Sequence, residues 1–198
     1  MTDYYQKECG RYFERTVGLD PSPILEPFAA RLAKGATVVD IGCGSGRDLL
    51  WLKQRGFLPF GMERAPDLAA LAEKHSGCRV IVADLQGFDF STIAVDAMLL
   101  TGSLVHLERR HLSPLLENLV KGLNPGGLIS ISMKQGRGTR IDDEGRRFVL
   151  WEEEALGRVF ADAGLGVVAV RGASSLLETG EAWINFYLKA DVPGEVLR

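Results

Sequence analysis

The segment Val38-Val39-Asp40-Ile41-Gly42-Cys43-Gly44-Ser45-Gly46-Arg47-Asp48 constrains this chain more than any other stretch. A short β-branched run passes directly into three glycines at alternate positions, and residues suited to a helix follow. Glycines let the backbone turn sharply and let a ligand lie against main-chain atoms. The start of the helix behind them offers unpaired N–H groups that favour negative charge. A strand, a glycine turn and a helix in this order form a nucleotide-type site at the end of a buried strand.

Runs of the same kind recur along the 198 residues. Strands are expected over 38–41, 57–61, 79–83, 95–100, 128–133, 167–170 and 182–189. Helices are expected over 49–55, 67–75, 110–123 and 152–163. Asn124-Pro125-Gly126-Gly127 predicts a stop and a turn. Alternating strands and helices predict an α/β fold whose mostly parallel sheet is covered by helices on both faces. With 46% hydrophobic residues, the length suits one domain with an ordinary core.

Bulk properties narrow the function. A net charge of −3 gives no broad basic footprint, so no nucleic-acid partner is expected. No apolar run approaches the ~20 residues that span a bilayer. The first fifteen residues lack the apolar core of a signal peptide, so no membrane partner and a cytoplasmic location are expected. Cys9, Cys43 and Cys78 lack paired or zinc-type spacing; free thiols and no metal site are expected.

The glycine turn leaves two cofactor classes to separate. A dinucleotide site wants G-x-G-x-x-G, whereas this chain has G-x-G-x-G with Arg47 at the place of the third dinucleotide glycine. Asp40, two residues before the first glycine, would repel a pyrophosphate but can bind the ammonium of a methionine moiety. A plain tight turn is the remaining reading.

On these residues the chain resembles the class I S-adenosylmethionine-dependent methyltransferases. The likeness implies a single-domain, Rossmann-like, seven-stranded sheet with an antiparallel last strand. It implies S-adenosylmethionine as cofactor, S-adenosylhomocysteine as product and a small-molecule acceptor. Leu123-Asn124-Pro125-Gly126-Gly127-Leu128 matches the family's turn before the fifth strand. Tyr12-Phe13-Glu14-Arg15-Thr16, Ser103-Leu104-Val105-His106-Leu107 and Asp143-Glu144-Gly145-Arg146-Arg147-Phe148 look like small bacterial methyltransferases, many of tellurite-resistance type. The Asn-Pro-Pro-Tyr type motif common in enzymes acting on DNA amino groups or protein glutamine is missing after the fourth strand.

The resemblance also implies roles by position. Asp40, Gly42, Cys43, Gly44 and Arg47 form the first part of the cofactor shell. Glu63, about 20 residues past the turn, accepts from the ribose hydroxyls, with Arg64 beside it; a surface acid is the alternative. Asp84 accepts from the adenine amino group and the Leu85 N–H meets a ring nitrogen; a turn cap by Asp84 is the alternative. Thr101 lies at the end of the fourth strand, against the sulfonium. His106 is either a base for the acceptor proton or a structural residue.

Two further segments bear on the acceptor. Residues 1–34 are read as a helical lid over an α/β core of residues 35–198, with Tyr12 and Arg15 reaching the methionine carboxylate or the acceptor. The stretch 134–147 carries Lys134, Arg137, Arg140, Arg146 and Arg147, which points to an anionic acceptor or to ordinary salt bridges with Asp142, Asp143 and Glu144. A monomer or homodimer is expected. The rival functions are a non-catalytic module that binds S-adenosylmethionine and an NAD(P)-dependent oxidoreductase.

Overall fold

A computed structural model of the chain describes residues 2–177 and 179–190. Three helices open the chain: α1 (Thr2–Lys7), α2 (Cys9–Val17) and α3 (Ser22–Ala29). β1 (Thr37–Ile41), α4 (Arg47–Gln54), β2 (Leu58–Glu63), α5 (Pro66–Ser76) and β3 (Val80–Val82) form the first half of the sheet. β4 (Val95–Thr101), α6 (Arg109–Val120), β5 (Leu123–Lys134), α7 (Glu153–Asp162), β8 (Leu165–Ser174) and β9 (Ala182–Ala190) form the second. Between β5 and α7 lies a small hairpin of β6 (Thr139–Ile141) and β7 (Arg147–Val149).

The seven-stranded sheet has the order β3-β2-β1-β4-β5-β9-β8. The first five strands of this order run parallel, while β9 is antiparallel to both β5 and β8. The expected α/β fold and its antiparallel last strand are therefore observed. The chain moves outward from β1 to β3, then returns to place β4 on the other side of β1. That reversal opens a crevice beyond the carboxyl ends of β1 and β4, where such sheets bind ligands.

Strand periodicity divides the core between the two faces of the sheet. Val38, Ala97, Leu99 and Tyr187 point to one face, where they meet Leu25 and Phe28 of α3 and Leu52 of α4. Val39, Met98, Leu100, Phe186 and Leu188 point to the other, where they meet Leu116 of α6 and Phe160 of α7. α3 therefore packs into the core, with its Ile24 also reaching the crevice that α1 and α2 border.

Two local features differ from the pattern read in the sequence. Asn124-Pro125-Gly126-Gly127 lies within β5 as an irregularity: Leu123 faces Val95, and Leu128 already faces Ala97. The kink is tied down by Asn124 Nδ2, which donates to Asp96 Oδ1 at 2.7 Å, while Asp96 Oδ2 accepts from the Thr37 N–H at 2.8 Å. The stretch 134–147, where no strand beyond residue 133 is expected from the sequence, contains one strand and part of a second of the hairpin. Its local pattern is too short and too polar to announce strands.

Candidate active site

A cavity of about 500 Å³ opens over the carboxyl ends of β1, β4 and β5. It runs from the glycine turn to Lys134, Phe148 and Trp183. A smaller cavity of about 100 Å³ adjoins it and is lined by Met62, Glu63, Arg64, Ala83, Leu85 and His106, among others. Tyr5, Tyr12, Gly42, Gly44, Thr101 and Gly102 line both, so they mark the junction.

The turn after β1 needs its glycines. Gly42, Gly44 and Gly46 have φ of 74°, 54° and 76°, a region that side chains with a Cβ rarely adopt. Space is short as well: a Cβ on Gly42 would stand 2.6 Å from Ser103 Cβ, and one on Gly44 would stand 3.2 Å from the Tyr12 ring. The Gly42 and Cys43 N–H groups both donate to the Met62 carbonyl, at 2.7 and 3.1 Å, which fixes the turn against β2.

Asp40 is buried at 2% exposure, and its Oδ2 has no hydrogen-bond partner. Burial, followed by repulsion from Asp48, pushes its carboxyl well above the usual carboxylate range. A buried carboxylate oxygen without a donor is costly unless a cationic ligand completes it. Arg15 on α2 is its opposite: Nε and Nη2 are buried without an acceptor, and Nη1 stands 3.8 Å from Glu144 Oε2. Both residues line the larger cavity. An unsatisfied acceptor and unsatisfied cationic donors in one cavity match the ammonium and carboxylate of an amino-acid moiety.

Glu63 ends β2 and is nearly buried. Its Oε2 accepts from the Gly44 N–H at 3.2 Å, and its Oε1 accepts from the N–H groups of Arg64 and Ala65 at 2.8 and 3.0 Å. Burial raises its pKa, and these three backbone bonds hold it back. Glu63 thus ties the glycine turn to the start of α5 while facing the smaller cavity. Arg64 Nη1 lies 3.5 Å from Asp84 Oδ2. Asp84 is exposed at the turn after β3, where Oδ1 accepts from the Gln86 N–H at 3.0 Å. Leu85 lines the smaller cavity.

The remaining expected shell residues sit on α4, the glycine turn, β4 and α2. Arg47, at the start of α4, lines the larger cavity and donates from Nε to Asp48 Oδ1 at 2.6 Å. Cys43 is buried there, and burial pushes its thiol pKa up. Thr101 ends β4, and its Oγ1 is buried without a partner. Tyr12 of α2 lines both cavities, and its hydroxyl pKa is raised by burial.

His106 lies in the single helical turn after β4 and faces the smaller cavity. Its Nδ1 is 2.6 Å from the Arg147 carbonyl oxygen, and its Nε2 is 2.8 Å from the Tyr5 hydroxyl. The carbonyl can only accept, so Nδ1 carries the proton and Nε2 accepts from Tyr5. Burial lowers the imidazole pKa to about 4. Both ring nitrogens are thus engaged within the protein, and the ring is neutral near neutral pH.

The basic stretch is largely paired with acids. Lys134 and Arg140 both reach Glu181, the former at 2.6 Å. Arg146 bridges Asp142 and Glu144 at 2.7 and 2.9 Å. Arg137 and Arg147 pair with Glu152 and Glu108 and do not line the cavity. Five basic and six acidic side chains line the larger cavity, so it is not a cationic funnel. Glu144 also accepts from the Tyr4 hydroxyl at 2.7 Å and pairs with Arg11, which joins α1 and α2 to the hairpin.

Sequence reasoning did not single out Tyr5, Asp48, Glu181 or Trp183. Tyr5 lies within a segment recognised as a cover, but its partner His106 is 101 positions away. Glu181 and Trp183 sit at the start of the last strand and meet Lys134 only through the pairing of β5 with β9. Among the described residues, no cluster of His, Cys, Asp or Glu is arranged to hold a metal ion. No helix among them is long and apolar enough to cross a membrane.

A sheet of this order with a glycine turn at its switch point defines the Rossmann-like methyltransferase fold. Residues 38–127, somewhat under half of the chain, match a family model described as a methyltransferase domain. Over these residues the chain is similar to the S-adenosylmethionine-dependent methyltransferases. Among solved structures it is similar to the Burkholderia thailandensis 1,6-didemethyltoxoflavin-N1-methyltransferase, at 20% identity and a TM-score of 0.76 over 95% of this chain and 84% of that one. It is similar to a TehB-like methyltransferase from Corynebacterium glutamicum, at 20% identity and a TM-score of 0.72 over 93% and 99% of the two chains. It is also similar to the magnesium protoporphyrin IX methyltransferase of Synechocystis, at 15% identity and a TM-score of 0.76 over 96% and 98%. Curated protein sequences provide no significant match.

Proposed function

We propose that this protein transfers the methyl group of S-adenosylmethionine to an uncharged small-molecule acceptor seated between Tyr5, Phe148 and Trp183. The observation that carries the reading is the complementary pair of unsatisfied groups, Asp40 Oδ2 and the Arg15 guanidinium, beside the glycine turn. Asp40 would hold the cofactor's ammonium and Arg15 its carboxylate. Glu63 would meet the ribose, Asp84 and Leu85 the adenine, and Thr101 and Gly102 would back the reacting centre. When bound, the cofactor supplies an electrophilic methyl group. The protein's part is to hold the acceptor in line and to keep water out.

The larger cavity extends well past the glycine turn, which supports an enzyme over a module that only binds cofactor. An anionic acceptor has weaker support, because Lys134, Arg140 and Arg146 already have carboxylate partners. The Burkholderia protein was crystallised with a heterocycle, 1,6-didemethyltoxoflavin, and a cavity walled by Trp183 and Phe148 suits a flat molecule of that kind. Cys9, Cys43 and Cys78 are unpaired, in keeping with a reducing compartment such as the cytoplasm.

The test is ligand binding. S-adenosylhomocysteine should bind with micromolar affinity and raise the melting temperature, since a ligand of the native state stabilises it by mass action. NAD and NADP should leave the melting temperature unchanged. A shift with NAD or NADP and none with S-adenosylhomocysteine would reverse the assignment.

A further inference from the structure

Three adjacent strands place a row of polar side chains on the floor of the larger cavity. Thr101 of β4 stands opposite Ser132 of β5, and Ser132 stands opposite Asn185 of β9. Neighbours in register point to the same face of a sheet, and all three line the cavity. One row below, Leu99, Ser130 and Tyr187 are fully buried. One row above, Lys134 stands opposite Trp183. Ser132 Oγ donates to Asn185 Oδ1. That bond takes the carbonyl side of the carboxamide and leaves Nδ2, with its two hydrogens, without an acceptor among the described residues. Asn185 is 3% exposed. Thr101 Oγ1 and Trp183 Nε1 are likewise buried without partners. Lys134 is not a rival donor, because its Nζ donates to both oxygens of Glu181 and lies over the Phe148 ring. Buried donors without acceptors are rare in a folded interior unless a ligand or water completes them.

We propose that Asn185 sets acceptor specificity, and that its Nδ2 donates to the ring carbonyl oxygen of a flat, two-ring heterocycle held between Phe148 and Trp183. The inference rests on the methyltransferase reading above and names the chemical class of its acceptor. The walls favour a flat molecule. A Cβ on Gly102 would stand 3.3 Å from Trp183 Cη2 and 3.4 Å from Cζ3, so the indole stands beside the end of β4. With Phe148 it forms an aromatic wall against which a planar ring packs. The width of the floor favours two rings. β4 and β9 flank β5, so Thr101 and Asn185 lie about 10 Å apart at the usual spacing of two strand steps, close to the length of two fused rings with an exocyclic oxygen. The polarity favours a carbonyl, whose oxygen brings lone pairs and no hydrogen to a group that can only donate. With that oxygen at Asn185, the far ring reaches Thr101 and Gly102, where the methyl group would be presented. A ring of the same size without the oxygen leaves Nδ2 stripped of water and unpaired, and a site built around a buried polar group rejects such an analogue.

The test uses the full chain and two probes of one ring skeleton: isoquinolin-1(2H)-one, which carries a ring carbonyl, and isoquinoline, which does not. Calorimetry is run on the free chain and on the chain loaded with S-adenosylhomocysteine. Failure of the cofactor assignment then shows as absent S-adenosylhomocysteine binding and leaves the carbonyl preference readable. Isoquinolinone should bind about tenfold or more tightly than isoquinoline in both states, the scale of one hydrogen bond from a buried donor. The double variant Asn185→Leu with Ser132→Ala removes the donor without stranding the serine hydroxyl. It should reduce the preference to less than twofold, with S-adenosylhomocysteine affinity changed less than threefold. Ser132→Ala alone keeps the carboxamide and should keep the preference. The native chain gives an independent reading. Of its three asparagines, Asn118 and Asn124 already donate through Nδ2 to the Phe88 carbonyl and to Asp96. In asparagine ¹⁵N spectra only the Asn185 carboxamide signal should therefore move downfield with isoquinolinone, and isoquinoline should leave it in place. Equal affinities for the two probes, no binding of either, a preference that survives the double variant, or an unmoved Asn185 signal would overturn the proposal.

Discussion

Gly46 lies against the backbone of Ala72: a Cβ on Gly46 would stand 2.6 Å from the Ala72 carbonyl oxygen and 2.9 Å from its Cα. The contact brings the start of α4 onto α5. Gly46 also has φ of 76°. Gly46→Ala should therefore combine left-handed backbone strain of about 1–2 kcal/mol with displacement of α5, for a total loss of more than about 3 kcal/mol. Gly35 has the same φ of 76°, but a methyl group at that position would meet nothing within 4 Å. Gly35→Ala should show the strain alone. Chemical denaturation of both variants checks the difference, and equal losses would show that the Ala72 contact carries no weight.

Asp40 should act against stability when no ligand is bound. Its folded pKa is raised above the unfolded value by burial and by Asp48. A group of this kind favours folding below its unfolded pKa and loses that contribution as pH rises through the folded pKa. Asp40→Asn should therefore raise the melting temperature at pH 7, and the gain should vanish below about pH 4, near the ordinary aspartate pKa. The same change should weaken S-adenosylhomocysteine binding about 10–100-fold, as expected for losing a charge-assisted hydrogen bond. Thermal melts across pH, paired with calorimetry, test both halves; unaltered affinity would remove Asp40 from the cofactor shell.

His106 gives the opposite pH dependence. Its pKa is lowered to about 4 by burial, with Arg146, Lys134 and Arg64 adding to the effect. A base with a depressed folded pKa contributes stability above its unfolded pKa and loses it as pH falls toward the folded one. The native protein should lose up to about 3 kcal/mol between pH 6.5 and pH 4 through this residue. Urea denaturation of the native chain and of His106→Gln at steps across this window checks the slope. Parallel curves would mean that the imidazole is not held neutral.

Lys134 and Glu181 should be worth more as a pair than either is alone. Lys134 Nζ lies 2.6 and 2.7 Å from the two carboxylate oxygens and 3.5 Å from the centre of the Phe148 ring. The lysine side chain is 7% exposed. Glu181→Gln leaves a buried ammonium without its counter-charge and should lower stability by about 2–4 kcal/mol. Adding Lys134→Met removes the uncompensated charge, and the double variant should regain most of the loss. A double variant no more stable than Glu181→Gln would show that the ion pair is screened by solvent.

Most of the fold, and the residues around its glycine turn, could be read from local sequence. The β-branched run at 38–41, the alternate glycines and the carboxylates at 40, 63 and 84 are set by requirements within one strand and its following turn. Backbone sterics at positive φ, the need to bury a parallel strand on both faces and the placement of ligands at strand ends act over a few residues, so they leave local marks. The acceptor half left none. His106 is read in the sequence as either a base or a structural residue, and only the fold brings Tyr5 and the Arg147 carbonyl, 101 and 41 positions away, to its two nitrogens. The basic stretch is read as an anion site or as ordinary salt bridges with Asp142, Asp143 and Glu144, and the sequence does not show that Glu181 meets Lys134, which follows from β9 running antiparallel beside β5. Tautomer, pKa and net charge of a cavity are sums over neighbours that long-range packing brings together. Local chemistry along the chain therefore settles where the glycine turn and its carboxylates lie, and the packing of α1, the hairpin and β9 decides what surrounds them.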